Sequence, residues 1–431
     1  MLARILLHRH ALIFFCLYMA EGIPFGFSSV TLATLMKQQG LNANDIGIFV
    51  ATLYLPWSWK WLMAPLLDVI SWHRTKHFQT WICIAQVAML LSLLVALQVP
   101  IQTQWPLFNL LILIHNVFAA LQDVAIDALA CSVLKQDERG LVNGAMSAGA
   151  NVGGIIGGSL SLYVFSFYGL WGALVVVLVP CLLITLLLSM RLSLWLQEPI
   201  LECVPESLWW QQITHRLYQF IKQLWRVLKT DAQARYGFVF SLLPTGSYVL
   251  VLAIQTQLAV DLGFSTESIA LLSMLCALVC AAGCFLGGIW SDRMGRYRVL
   301  LLFLLLSLVS PVLLWALFKY YHLEMVIKHH QVSIGLLVWL TFAGLSLFHQ
   351  FIHGVLYSTR AAWLMDTTHP KLAATQFTAY MACLSFGLSY MSRLFGLSVT
   401  RYGYANTFLL DMLLGILCAV PLLLGMRTKR P

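Results

Sequence analysis

Apolar residues run along this chain in long continuous stretches, interrupted by short clusters of turn-forming and charged residues. The stretches lack the strict alternation of transmembrane β-strands. Cut at glycine, proline, asparagine and charge signals, they predict helical spans at 11–36, 46–67, 79–99, 106–134, 141–166, 170–195, 236–259, 267–290, 299–318, 333–359, 372–400 and 404–426. About 20 apolar residues suffice to cross a bilayer, so each stretch reads as one crossing. Arg4 and Arg9 ahead of the first run resemble a signal peptide, but the run continues through Phe25–Leu35 with no clear small-residue cleavage site, so it reads as a retained first span. Six spans precede a polar stretch at about 196–235 and six follow it. The expected fold is an all-α polytopic membrane protein, with a six-helix bundle at 1–195, a linker at 196–235 and a second six-helix bundle at 236–431.

Composition supports this class. Of 431 residues, 60% are hydrophobic and only 10% charged, against about 25% charged in a soluble domain. A cytosolic enzyme, a disulfide-stapled secreted module and a disordered chain are excluded. Of the ten cysteines, only Cys203 lies in a polar stretch, which gives neither a disulfide framework nor a zinc pattern. No metal and no cofactor is expected. The net charge of +9 would suggest nucleic acid on a soluble protein, but its placement says otherwise. With the N-terminus inside, 20 of the 26 Lys and Arg residues fall on the inner side. Lys37, Lys319, Lys328 and Arg401 fall outside, and Lys60 and Arg393 lie within spans. That bias predicts both termini in the cytoplasm. The linker carries Trp209, Trp210, His215, Arg216, Lys222, Arg226 and Lys229. It reads either as an amphipathic helix on an anionic membrane surface or as a plain tether.

The two halves repeat. Gly40-Leu41-Asn42-Ala43-Asn44-Asp45-Ile46 recurs 223 residues later as Gly263-Phe264-Ser265-Thr266-Glu267-Ser268-Ile269. In each copy an Asn or Ser can cap the following helix. Asp68 corresponds to Asp292, and a basic loop follows both. The second copy, Gly288-x-x-x-Asp292-Arg293-x-Gly295-Arg296, combines turn-forming glycines with residues able to lock a loop through charge. It resembles the cytoplasmic gating-loop motif of the major facilitator superfamily, and two parallel six-span halves resemble that superfamily's layout. Glycines recur at every fourth position in span 5 (Gly149, Gly153, Gly157) and span 8 (Gly283, Gly287). Such stripes let helices approach closely. In the superfamily spans 5 and 8 meet across the halves, so the stripes read either as a moving contact there or as static packing.

Ionisable residues within spans are costly, so each is a candidate for function. Glu21 lies in span 1, Lys60 in span 2, and Asp123 and Asp127 in span 4. The two aspartates are four residues apart and share a helix face. Two carboxylates so close do not both ionise cheaply in low dielectric, so one becomes a candidate proton carrier, with Lys60 as counter-ion. A purely structural ion-pair network would use the same residues. In the second half, Arg393 could read an anionic solute, pair with Glu21 or Asp411, or snorkel. His349, Gln350, His353 and Tyr357 line one side of span 10. Gln376 opens span 11.

Several motifs then converge. They are Glu21-Gly22-Ile23-Pro24-Phe25-Gly26, the run Leu55-Pro56-Trp57-Ser58-Trp59-Lys60 continuing to Ala64-Pro65-Leu66-Leu67-Asp68, Gln122-Asp123-Val124-Ala125-Ile126-Asp127 with Glu138-Arg139-Gly140, and Ala374-Thr375-Gln376-Phe377. Together they resemble AmpG-type muropeptide permeases and the related acetyl-coenzyme A transporters. The resemblance implies a proton-driven importer of a bulky anionic solute, working by alternating access in a bacterial inner membrane. Anhydro-muropeptide is the first expected solute, and a siderophore or coenzyme A derivative the second. On this reading Glu21, Lys60, Asp123 and Asp127 form the coupling group. Gln122, His353, Tyr357, Gln376 and Arg393 face solute. Asp68, Gly288, Asp292, Arg293, Gly295 and Arg296 form the gating loops. The expected partners are a small-molecule solute, protons and lipid, with a monomeric chain and no nucleic acid. A membrane enzyme would need polar residues clustered at one membrane face, and the short outer loops lack them. A sensor that binds without transporting is the remaining alternative.

Overall fold

A computed structural model describes the backbone of residues 2–70, 77–101, 103–134, 139–195, 206–252, 254–328, 336–367 and 373–425. No strand occurs among the described residues. Eight helical stretches there are long and apolar enough to cross a membrane. Two of them are double: Ala145–Leu187 reverses at Gly169 (φ 65°, ψ −163°) and Gln376–Val420 at Gly403 (φ 81°, ψ 176°). Glycine reaches these backbone conformations without the Cβ clash that other residues meet. The reversals separate spans 5 from 6 and 11 from 12. The two remaining spans are interrupted rather than absent. Span 2 is Ala43–Tyr54, a 3₁₀ turn at Pro56–Trp59, then Lys60–Val69. Span 7 is Ala232–Leu242 and Ile254–Asp261, with residues 243–252 outside any helix. Helical segments thus stand at all twelve spans expected from the sequence.

The described residues form two compact units, one of residues 1–32 and 59–220, the other of residues 33–58 and 221–431. In the first, span 1 passes from an α-helix, Leu2–Gly26, into a π-helical turn at Phe27–Leu32 just after Pro24. Proline removes a backbone donor, and a widened turn is one way a helix accommodates the defect. A second π turn, Ile155–Leu160, lies against it. Thr31 Oγ1 lies 2.8 Å from the Gly158 carbonyl and 3.1 Å from that of Gly157. The glycine stripe of span 5 is used here. A Cβ on Gly149, Gly153 or Gly157 would overlap the backbone of Phe15, Met19 or Ile23 in span 1. In the second unit, Gly283 and Gly287 meet Phe351, Gly354 and Val355 of span 10. Of the two readings of these stripes, the packing within each unit is the one seen among the described residues.

Both copies of the seven-residue repeat fold alike, and both lie in the second unit. Gly40 (φ 87°) and Gly263 (φ 76°) end their helices in the left-handed region. Asn42 accepts from Asp45 N–H at 2.9 Å, and Ser265 from Ser268 N–H at 3.2 Å. Each caps the next helix by satisfying a donor that has no partner within it. Around these caps, Lys37 pairs with Asp261 at 2.9 Å, and Asp261 also accepts from the Tyr404 hydroxyl at 2.6 Å.

Gly157→Val should greatly reduce the yield of folded, monodisperse protein, because the neighbour it strikes is backbone. Gly154→Ala should instead leave the melting temperature unchanged or raise it. Its added Cβ meets nothing within 4 Å, and alanine is favoured over glycine in a helix by about 0.5–1 kcal/mol. Thermal unfolding in detergent, followed by size exclusion, reads both.

Candidate functional site

The break in span 2 positions the first cluster. Pro56 opens the 3₁₀ turn, and Lys60 begins the next helix. Asp123 and Asp127 lie one turn apart on the helix Trp105–Val133. Lys60 Nζ is ion-paired with Asp123 and lies 3.9 Å from Asp127 Oδ2. The Tyr18 hydroxyl, on span 1, donates to Asp127 and lies 3.2 Å from Asp123 Oδ1. Asp123 is buried, whereas the side chain of Asp127 is 48% exposed. Glu21, one turn beyond Tyr18, interacts electrostatically with Lys60, Asp123 and Asp127. Its Oε2 is buried and has no hydrogen-bond partner among the described residues. All four predicted charge residues therefore converge, and the structure adds Tyr18. Three carboxylates thus face one ammonium.

A second constellation surrounds the break in span 7. The carbonyls of Phe240, Ser241 and Leu243 accept from Arg360 Nη2 at 2.9–3.1 Å, and Arg360 Nη1 donates to the Tyr248 hydroxyl at 3.0 Å. The Arg360 guanidinium also lies 5.3 Å from the centre of the Phe240 ring. Further along, the fully buried Asp411 accepts from Tyr248 N–H at 2.9 Å and from the Ser247 hydroxyl. Ser307 Oγ accepts from Ser247 N–H, Gln350 donates to the Leu250 carbonyl, and His349 Nε2 lies 3.2 Å from the Ser247 carbonyl. A cation thus sits at the carbonyl end of the first half-helix, and an anion meets N–H groups of the unwound segment. The sign of the cation matches the dipole of the half-helix it terminates. Unwound backbone at membrane depth is tolerated only when protein satisfies it, and side chains of spans 9, 10 and 12 do so here.

The remaining predicted residues are dispersed. Gln122 is buried in the first unit and donates to Gln86 Oε1 at 2.7 Å. His353 packs edge-on against Tyr248, with ring centres 5.4 Å apart, and lies beside Tyr357, which is 55% exposed. Gln376 is buried and donates to the Tyr380 hydroxyl, which in turn donates to the Ala234 carbonyl at 3.2 Å. Arg393 is exposed and donates to Asn44 Oδ1; neither Glu21 nor Asp411 is its partner among the contacts described. In the loop expected from the sequence to gate, Gly295 turns the chain at φ 89°, and the Gly288 carbonyl accepts from Ser291 Oγ at 2.8 Å. Arg293 is exposed, while Arg296 pairs with Asp366 and donates to the Ala362 carbonyl at 2.8 Å. The side chains of Asp68 and Asp292 lie outside the described residues. Among the described residues no group of three or more His, Cys, Asp and Glu side chains could hold a metal ion.

Sequence reasoning missed Tyr18, Arg360 and Asp411. Arg360 falls one residue past the drawn end of span 10, so it was counted as an inner-face topology charge. The helix continues to Asp366 and buries it. Asp411 was an ionisable residue inside span 12 and could have been found by that rule. Tyr18 carried only its helical spacing from Glu21.

Comparison with known proteins gives concordant matches. The model of the Major Facilitator Superfamily matches residues 11–243 and again residues 236–431. The anhydromuropeptide permease of Escherichia coli (strain K12) is 24% identical over 405 residues, covering 91% of this chain and 75% of the permease. Among solved structures, a D-xylose-proton symporter superimposes with a TM-score of 0.71 at 14% identity, covering 96% of this chain and 97% of its own. The nucleoside transporter NupG does so with 0.66 at 13% identity, covering 98% and 100%. At such identities the two structures bear on the fold alone.

Lys60→Met should destabilise the protein by about 3–5 kcal/mol, because it leaves Asp123 as an uncompensated buried charge. The double variant Lys60→Met with Asp123→Asn should recover much of that loss. A double-mutant cycle on thermal or denaturant unfolding in detergent measures the coupling. Additive losses would show that the pair is not stabilising as drawn.

Proposed function

Because this chain belongs to the Major Facilitator Superfamily, we propose that it is a proton-coupled importer of a bulky anionic solute, with anhydro-muropeptide as the first candidate. The observation that carries the coupling reading is the cluster of Glu21, Lys60, Asp123, Asp127 and Tyr18 across spans 1, 2 and 4. Asp127, the half-exposed member, is where a proton enters. With Asp127 protonated, Lys60 is committed to Asp123. With Asp127 ionised, the ammonium is shared between two carboxylates. Proton occupancy thereby sets whether the lysine is held at one turn of span 4 or shared between two. Such a two-position contact is the kind of element that biases one half against the other during alternating access.

In this reading the halves 1–195 and 236–431 rock about a solute held near the midplane, with His353 and Tyr357 facing it. Arg296, through Asp366, ties the gating loop to the end of span 10. The chain sits in the bacterial inner membrane with both termini in the cytoplasm, as the lysine and arginine bias supports. The solute is taken from the similarity to the anhydromuropeptide permease.

Right-side-out vesicles carrying the protein should accumulate labelled anhydro-muropeptide when the exterior is more acidic, and an uncoupler should abolish the accumulation. Absence of uptake would overturn the solute assignment. Uptake indifferent to the gradient would overturn the coupling. Asp127→Asn should lose accumulation against a gradient while retaining solute exchange at equal pH, because exchange needs solute movement but no net proton transfer. If Asp127→Asn still concentrates solute, the carboxylate is structural.

A further inference from the structure

The linker forms one continuous helix, Trp209–Thr230, with three distinct faces. One is packed: Ile213 and Val227 are buried, and Phe220 stacks on Trp61 with ring centres 5.7 Å apart and planes 9° from parallel. The second is cationic, with Lys222, Arg226 and Lys229 all exposed. The third is an exposed apolar stripe. Trp210, Tyr218, Ile221 and Trp225 recur at i, i+8, i+11 and i+15, and are 72%, 61%, 52% and 61% exposed. No Asp or Glu occurs in the helix. The next acid, Asp231, is engaged in capping the following helix through the N–H groups of Gln233 and Ala234.

A tether in water needs only a packed face and a polar face. Large aromatic residues exposed between them leave apolar surface in water with no return. Tryptophan and tyrosine are enriched where acyl chains meet headgroups, because their rings are apolar and their tips polar. Cations beside such a stripe complement anionic headgroups. Lys229 Nζ, 5.0 Å from the centre of the Trp225 ring, places the two features in contact. We propose that this helix docks in the headgroup region of the bilayer, its aromatic stripe at the acyl boundary and its cations on anionic phospholipid.

The full-length protein in nanodiscs tests this independently of any transport activity. The disc lipid is acyl-brominated phosphatidylcholine, alone or mixed with phosphatidylglycerol. Subtracting the emission of a Trp210→Phe, Trp225→Phe variant isolates two of the 15 tryptophans. In discs with phosphatidylglycerol the difference emission should be quenched by the bromines. The triple variant Lys222→Gln, Arg226→Gln, Lys229→Gln should reduce the docked-to-undocked ratio by about 100-fold and restore the emission. The charge-conserving triple Lys222→Arg, Arg226→Lys, Lys229→Arg should stay quenched, separating charge from folding. Unquenched emission with phosphatidylglycerol overturns the proposal and points to water or a protein partner on that face. Equal quenching in phosphatidylcholine alone overturns the anionic requirement, and loss of quenching in the charge-conserving variant overturns the role of charge.

Discussion

Inside a bilayer no water completes a hydrogen bond or screens a charge, so every polar group taken there must bring its own partner. This constraint organises the protein. Most of the chain meets it with uninterrupted helices. Spans 2 and 7 are interrupted, and each break gathers buried polar side chains. Where span 2 breaks, Lys60 meets carboxylates from span 4 and a tyrosine from span 1. Where span 7 breaks, Arg360, Asp411, Ser307, His349 and Gln350 bind the unwound backbone.

The two constellations solve different problems. The second is backbone-directed: a guanidinium can serve several carbonyls at once because its donors fan out in a plane. Asp411 completes the arrangement by accepting a main-chain N–H and a hydroxyl. It therefore supports a fixed shape. The first is charge-directed. Its members contact one another, the carboxylates outnumber the ammonium, and one of them is half exposed.

Some features were legible because local chemistry decides them. Gly40 and Gly263, with Asn42 and Ser265 after them, form matching helix ends and caps, since a left-handed glycine followed by a side-chain acceptor is a local solution. Asp123 and Asp127 were readable as a pair because helical spacing alone puts them on one face. Other features were not legible. The glycine stripes of spans 5 and 8 announced close packing, but not that the neighbours would be spans 1 and 10. Arg393 looked like a buried cation because its span is apolar, yet the helix presents it to Asn44. Arg360 looked like a topology signal because periodicity does not mark where an apolar helix ends.

The sequence by itself determined the class, the layout of apolar spans and the first-half residues that carry charge within them, Glu21, Lys60, Asp123 and Asp127. Each of these follows from how far an apolar run extends and from the energetic cost of its exceptions, and both are properties of the chain read locally. Only the tertiary structure decided which exceptions meet. It joined Tyr18 to Asp127, Arg360 to the open end of span 7 and Asp411 to its unwound segment. The partner of a buried polar group is set by which helices pack together and how they are rotated. That depends on close packing between segments more than a hundred residues apart, which no local pattern encodes.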